Sequence, residues 1–162
     1  MLPGLRGSDH IGITVPDLEE ATRFYVDLLG AEELLAMGPF DSETMPRGAD
    51  GRDWTETHMD VPGASFSFRV LRLGGFLLEL FAYERPTDVG RTPPRNWDVG
   101  AHHIGLRVEN IASAVAYLRA NGVRVLDGTI DVPEDAPGGP MRGHYFFDPA
   151  GNYVELVERY SV

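Results

Sequence analysis

Two histidines and two glutamates stand at matching places in a pattern that occurs twice along the chain. The first histidine opens His10-Ile11-Gly12-Ile13-Thr14-Val15, and the second opens His103-Ile104-Gly105-Leu106-Arg107-Val108. Each run is followed later by a glutamate between aliphatic residues, Glu79 in the first copy and Glu155 in the second. Imidazole nitrogens and carboxylate oxygens are ligands for divalent zinc, nickel, cobalt, manganese and iron. The repeated types therefore indicate a site for one divalent cation.

Alternation of side chains predicts that these runs are strands with one apolar and one polar face. The faces covered by helices are expected to carry the aliphatic residues Ile11, Ile13, Val15, Leu78, Leu80, Ile104, Leu106, Val108, Val154 and Leu156. The opposite faces then carry His10, Glu79, His103 and Glu155. A single buried histidine or glutamate is more often structural than a ligand. Two histidines and two glutamates that line one cavity would cost several kcal/mol of desolvation free energy unless a cation paired with the carboxylates.

Each strand is followed by a helix signal and then by hairpin signals. Asp17 has the position of an N-cap before the first apolar stripe, and Gly30 has that of a C-cap. Asn110 caps the second stripe, which ends at Asn121-Gly122. Glycine-rich turns separate the later strand-like runs of both copies. The fold class is therefore α+β, with two paired βαβββ modules forming a curled mixed sheet around the metal site.

The domain organisation follows from the limits of the two copies. Residues 1–8 form an N-terminal leader, residues 9–83 the first module and residues 101–162 the second module. Residues 84–100 have the proline-rich and glycine-rich composition of a linker. Inside the first module, the Gly-, Pro- and Asp-rich segment of about residues 38–63 is longer than an ordinary connection, which indicates a flap over the site.

Composition excludes several classes of function. Fourteen basic residues against twenty-five acidic residues give a net charge of −11, which disfavours nucleic-acid and membrane partners. All the basic residues are arginine, so no lysine is present for Schiff-base chemistry. The absence of cysteine excludes disulfides, thiolate nucleophiles and sulfur-ligated metals. The chain begins without a signal-peptide pattern and contains no apolar run of membrane length, so we expect a cytoplasmic protein.

These motifs resemble the vicinal oxygen chelate superfamily, which includes glyoxalase I, methylmalonyl-CoA epimerase, extradiol dioxygenases and bleomycin-resistance proteins. The resemblance extends from about Asp9 to Glu158 and includes the run Asp148-Pro149-Ala150-Gly151-Asn152. It implies paired βαβββ modules, a homodimer and a metal ion held by the two histidines and two glutamates named above. The implied partner is a small-molecule substrate with two adjacent oxygens, and the implied reaction is proton transfer through a metal-stabilised enediolate.

This chain differs from several subfamilies at residues that are typical of them, which makes some activities less favoured but leaves more than one open. Glyoxalase I enzymes usually carry an arginine where this chain has Thr14, although Arg107 occupies the equivalent place in the second copy. Methylmalonyl-CoA epimerases usually carry glutamine in place of Glu79. Extradiol dioxygenases hold iron with three ligands, and bleomycin-resistance proteins generally lack the ligand set. A glyoxalase-like lyase, an iron extradiol dioxygenase and a non-catalytic sequestering protein remain alternatives.

The flap residues Gly38-Pro39-Phe40 and Asp53-Trp54 are similar to those of bacterial members that include cyclitol epimerases. This similarity favours a metal-dependent isomerase or epimerase of a small polar hydroxy-carbonyl compound. We consider four residues as candidates for proton transfer. They are His58 in the flap, His144 at the start of a strand, and the two glutamates Glu79 and Glu155.

His102 stands directly before His103 and could be mistaken for the ligand of the second copy. The two side chains alternate in direction along a strand, so only one of them shares a face with Glu155. The phase of the aliphatic residues in Ile104-Gly105-Leu106 favours His103.

Overall fold

The computed structural model describes residues 3–87, 90 and 92–160, and it divides the chain into two compact units, Met1–Arg91 and Thr92–Val162. The division falls within the segment assigned to the linker. Residues 1 and 2 of the leader, residues 88, 89 and 91 of the linker, and residues 161 and 162 lie outside the described residues. No helix in the described ranges is both long enough and apolar enough to cross a membrane.

The first unit is a βαβββ module with a second short helix in the flap segment. In chain order it contains β1 (His10–Thr14), α1 (Leu18–Arg23) with a π-helical turn (Phe24–Leu28), β2 (Glu32–Asp41), α2 (Trp54–Met59), β3 (Ser65–Leu73) and β4 (Phe76–Arg85). The strand order is β1-β4-β3-β2. β1 runs parallel to β4, and the other neighbouring pairs are antiparallel.

The second unit repeats this topology. It contains β5 (His103–Arg107), α3 (Ile111–Ala120), β6 (Val125–Val132), β7 (Met141–Phe147) and β8 (Tyr153–Arg159). The strand order is β5-β8-β7-β6, with β5 parallel to β8 and the other pairs antiparallel. The predicted α+β class, with two βαβββ modules built on mixed sheets, is confirmed.

Side-chain caps fix where the helices begin. The Asp17 carboxylate accepts a hydrogen bond of 2.8 Å from the Glu20 amide at the start of α1. The Asn110 side chain accepts one of 2.8 Å from the Ser113 amide at the start of α3. Because the first amides of a helix lack partners within it, these caps determine its start.

The helix-covered face of each sheet carries the aliphatic residues that alternation assigned to it. Leu78, Leu80 and Val154 are fully buried, and Ile13 and Ile104 are nearly so. Ile11 departs from the prediction, since 39% of it is exposed. Ile11 lies near the start of the edge strand β1, and Ile13, nearer its end, is only 4% exposed, so burial of this face increases along the strand.

The flap segment is more ordered than its composition indicates. β2 continues through Asp41, and α2 forms around the buried Asp53. The Asp53 carboxylate accepts hydrogen bonds from the Ser42 hydroxyl, from the Thr55 amide at 2.7 Å and from the Thr55 hydroxyl at 2.6 Å. These donors, with Ser42 first, lower the pKa of Asp53 to about 2.

Replacing Leu80 with alanine tests the aliphatic layer of the first unit. The Leu80→Ala variant leaves a cavity at a fully buried position, so we expect the free energy of unfolding to fall by ~2–5 kcal/mol. The control is Leu34→Ala, at a 37% exposed position on β2, which should cost less than about 1 kcal/mol. Urea denaturation followed by circular dichroism measures both, and equal losses would contradict this account of the core.

Replacing Asp53 with asparagine tests the anchor of the flap. Since the folded pKa lies below the ordinary value of 3.8, ionised Asp53 stabilises the fold above that pH and loses this effect as the pH falls towards about 2. We expect Asp53→Asn to lower Tm most above about pH 4 and progressively less in stronger acid. Asp135→Asn, at an exposed position in a turn, is the control. A difference in Tm between the wild-type protein and Asp53→Asn that does not change with pH would refute the claim that ionised Asp53 stabilises the flap.

Candidate functional site

The first candidate pair forms where β1 lies alongside β4. Gly12 is opposite Glu79 in this parallel pairing, and His10 projects from the same face of the sheet. Nε2 of His10 is 3.5 Å from Oε2 of Glu79. The His10 side chain is 47% exposed and that of Glu79 is 23% exposed. The pair therefore offers one nitrogen and one oxygen that a ligand can reach from outside.

Asp9 orients the ring of His10. Its Oδ1 lies 2.8 Å from Nδ1 of His10. Because an ionised carboxylate only accepts hydrogen bonds, Nδ1 carries the proton and Nε2 faces Glu79. The hydrogen bond to Asp9, followed by the charge of Glu79, raises the pKa of His10. Histidines that bind metals commonly have such a carboxylate on the second nitrogen.

The second candidate pair has the same construction in the other unit. Gly105 is opposite Glu155 in the parallel pairing of β5 with β8. Nε2 of His103 is 3.1 Å from Oε2 of Glu155. The exposed fractions of the two side chains are 40% and 15%. His102 precedes β5, and its Nδ1 lies 3.4 Å from the carbonyl oxygen of Gly100.

Gly143 leaves the space that the Glu155 carboxylate occupies. A Cβ atom at this buried position on β7 would lie 2.6 Å from Oε1 of Glu155 and 3.1 Å from Cγ2 of Ile130. The first distance is shorter than real Cβ contacts, so any larger residue would displace the carboxylate. The position of Glu155 therefore depends on a glycine on the neighbouring strand.

Tyr145 is a polar neighbour of the second pair that sequence reasoning missed. It is opposite Glu155 in the β7–β8 pairing, and its hydroxyl lies 3.4 Å from Nε2 of His103. Partial burial, followed by the charge of Glu155, raises the pKa of Tyr145. The equivalent position opposite Glu79 is Val70. Counting residues across the β7–β8 hairpin from Glu155 would have found this tyrosine.

His144 lies on the other face of the sheet from Glu155. It is opposite Leu156 in the β7–β8 pairing and only 3% exposed. Its Nδ1 is 2.7 Å from the Thr129 hydroxyl and its Nε2 is 2.7 Å from the Leu126 carbonyl oxygen. Both ring nitrogens are therefore engaged in contacts that hold β6 against β7. The structure makes His144 a structural residue and does not bring it to the pair.

His58 is exposed on α2, one helical turn after Trp54. Trp54 packs edge-on against Phe40 and Phe66, each with ring centroids 5.8 Å apart. Because residues four apart lie on the same side of a helix, His58 shares the side of α2 that carries Trp54. Among the described residues, His58 is not part of a cluster of metal-ligating groups.

A layer of aromatic rings covers the Glu79 face of the first unit, and we call it the aromatic wall. Neighbouring rings across β2, β3 and β4 stack at centroid distances such as 5.2 Å for Phe66 and Tyr83 and 5.1 Å for Phe68 and Phe81. The members of the wall are Phe40, Trp54, Phe66, Phe68, Phe81 and Tyr83. The wall gives this face a flat apolar surface next to a carboxylate.

Within each unit the structure brings together one histidine and one glutamate. In the part of the chain that the structure describes, no group of three or more His, Asp or Glu side chains has the geometry of a complete metal site. The four-ligand set accordingly stays a prediction, as does the identity of the metal.

Comparison with a family model identifies the protein family, which the geometry of the two pairs does not identify by itself. Residues 7–156 match the model of the Glyoxalase/Bleomycin resistance protein/Dioxygenase superfamily. The chain belongs to this superfamily. The match spans both units and includes all four residues of the two pairs.

Relatives within the superfamily point to epimerases. The chain is 40% identical to a 2-epi-5-epi-valiolone epimerase from Actinomyces sp., over 96% of this chain and 81% of that protein. It is 30% identical to the human mitochondrial methylmalonyl-CoA epimerase, over 93% of this chain and 72% of that protein. These similarities support an enzyme of the superfamily, and specifically an epimerase.

Solved structures show the same fold at low sequence identity. A glyoxalase family protein from Bacillus cereus superposes with a TM-score of 0.73 at 18% identity, covering 99% of both chains. The trypanothione-dependent glyoxalase I of Leishmania major superposes with a TM-score of 0.58 at 23% identity, covering 95% of this chain and 87% of that chain. At these identities the likeness concerns the fold alone.

Proposed function

We propose that the protein is a divalent-metal-dependent epimerase that inverts the carbon next to a carbonyl group in a small polyhydroxylated ketone. The observation that carries this proposal is the duplicated His–Glu pair, at 3.5 Å in one unit and 3.1 Å in the other, in the same strand register. The 40% identity to a valiolone epimerase supports the choice of reaction.

The two pairs fit a divalent cation by the chemistry of their donor atoms. Each pair directs an imidazole Nε2 and a carboxylate oxygen towards the same space within its unit. We propose that His10, Glu79, His103 and Glu155 are the ligands of one zinc, nickel, cobalt, manganese or iron(II) ion. Two carboxylates balance its charge, and the neutral imidazoles add none. A homodimer stays a prediction from the family resemblance.

The cation would polarise the substrate carbonyl, acidify the neighbouring C–H and stabilise the enediolate that results. The chain's own residues then have to move protons. We assign this role to Glu79 and Glu155, whose carboxylates lie on the faces that carry the histidines. One carboxylate, released from the cation, would take the proton from carbon. A second group in its protonated form, the other glutamate or His58, would give a proton to the opposite face of that carbon and so yield the epimer. His58 is a further candidate, since it shares a helix side with Trp54 of the aromatic wall.

The surroundings of Glu79 favour a polyhydroxylated ring over a coenzyme A thioester. The aromatic wall offers apolar ring faces against which the C–H face of a cyclitol can pack. Methylmalonyl-CoA epimerases resemble this chain but usually carry glutamine in place of Glu79. A net charge of −11 and the lack of lysine also disfavour a ligand that carries several phosphates.

Metal content tests the ligand set. We expect about one divalent cation per chain in the wild-type protein by elemental mass spectrometry, and its loss in His10→Ala and in His103→Ala with an unchanged circular dichroism spectrum. His102→Ala is the matched control and should retain the cation. Full metal content in His103→Ala would refute the site. Two cations per chain would show that each pair binds its own ion.

Solvent deuterium exchange tests the reaction. In heavy water, the metal-loaded protein should incorporate deuterium next to the carbonyl of 2-epi-5-epi-valiolone, as followed by NMR. Metal removal or His103→Ala should reduce the rate by at least about 100-fold. Exchange into methylmalonyl-CoA instead would overturn the substrate class. Oxygen uptake with a catechol would indicate a dioxygenase, a thiol-adduct reaction would indicate a lyase, and binding without exchange would indicate a sequestering protein.

Substitution of Gly143 tests the placement of Glu155 without removing a ligand. In Gly143→Ala the new methyl group would force the Glu155 carboxylate away, so we expect the metal dissociation constant to rise by about 10–100-fold. Gly128→Ala, on β6 with open space around it, is the control and should leave the constant unchanged. Calorimetric titration of both metal-free proteins measures the effect. Equal affinities in the two variants would contradict it.

A further inference from the structure

The polar groups that flank the two His–Glu pairs are not equivalent. Beside the first pair, the cross-strand neighbour of Glu79 is Val70, which has no polar atom in its side chain. Beside the second pair, the cross-strand neighbour of Glu155 is Tyr145, which carries a hydroxyl. The two units thus repeat the His–Glu pair but differ at the position opposite the glutamate, which is a valine in the first unit and a tyrosine in the second.

The ring of Tyr145 is held on two sides. It meets the imidazole of His103 edge to face with centroids 5.2 Å apart, and it meets Tyr153 edge to face with centroids 6.3 Å apart. These contacts fix the direction of the phenol, so its hydroxyl points towards Nε2 of His103 at 3.4 Å. A phenol has a reference pKa of ~10 and is protonated at neutral pH, so it has a hydrogen to donate.

Occupation of Nε2 by a cation would remove this partner from Tyr145. An imidazole nitrogen that binds a metal has neither a free lone pair nor a proton on that atom. The hydroxyl would then need another acceptor, and the substrate oxygen beside the second pair is the group that the reaction supplies. The charge that develops on this oxygen makes it a stronger acceptor during the reaction than before it.

We propose that the Tyr145 hydroxyl donates a hydrogen bond to the substrate oxygen beside the second pair on which negative charge develops. The role rests on the proposed function above. The proton stays on Tyr145 throughout, and no bond to the phenol oxygen forms or breaks.

The test compares Tyr145→Phe with Tyr117→Phe, which removes a hydroxyl from an exposed position on α3. For Tyr145→Phe we expect kcat for deuterium exchange to fall by about 100–1000-fold while KM changes by less than about threefold. The metal dissociation constant should stay within about threefold of the wild-type value. Tyr117→Phe should match the wild-type protein in all three quantities.

A readout on the metal-free protein tests the contact itself. The nitrogen NMR signals of the His103 ring should shift in Tyr145→Phe and stay in place in Tyr117→Phe, because the phenol contacts Nε2 in the absence of metal. Unchanged His103 signals would overturn the geometric basis of the proposal.

The remaining outcomes separate the two proposals. An active, metal-loaded wild-type protein with equal kcat in Tyr145→Phe would overturn the role of Tyr145 and leave the epimerase proposal standing. Weaker metal binding in Tyr145→Phe, with kcat restored at saturating metal, would overturn the oxyanion role and show that Tyr145 only positions His103. A wild-type protein without metal or exchange would overturn both.

Discussion

The parallel pairing of the first and last strands of each unit is the constraint on which the candidate site depends. It sets Gly12 opposite Glu79 and Gly105 opposite Glu155, and it places each histidine on the same face as its glutamate. A parallel pair needs a crossover connection, which α1 and α3 provide. Because these helices cover one face of each sheet, the histidines and glutamates are left on the other face, where a ligand can reach them.

The two His–Glu pairs share their geometry but differ in the neighbouring groups that contact their histidines. His10 is oriented by the Asp9 carboxylate at 2.8 Å, while His103 meets the Tyr145 hydroxyl at 3.4 Å. Glu155 has space only because residue 143 is a glycine. The two units therefore repeat the His–Glu pair but surround it with different groups, a carboxylate beside His10 and a phenol beside His103.

The flap and the aromatic wall are connected through α2. Asp53 anchors the start of this helix, and Trp54 directly after it packs on Phe40 and Phe66. The anchor is charged and almost fully buried, so its hydrogen bonds to Ser42 and Thr55 are what make its burial favourable. The segment with the least regular composition in the chain is therefore fixed against the face that carries Glu79.

The sequence by itself determined the repeated βαβββ topology, the helix caps at Asp17 and Asn110, and the placing of the four candidate ligands on the sheet faces opposite α1 and α3. Those features depend on local periodicity and short-range capping, which a single chain displays directly. Only the tertiary structure showed where Gly143, Tyr145 and His144 lie relative to Glu155, and that Ile11 is exposed. Their neighbours lie on other strands, so the register across the hairpins and the reach of each helix had to be known first.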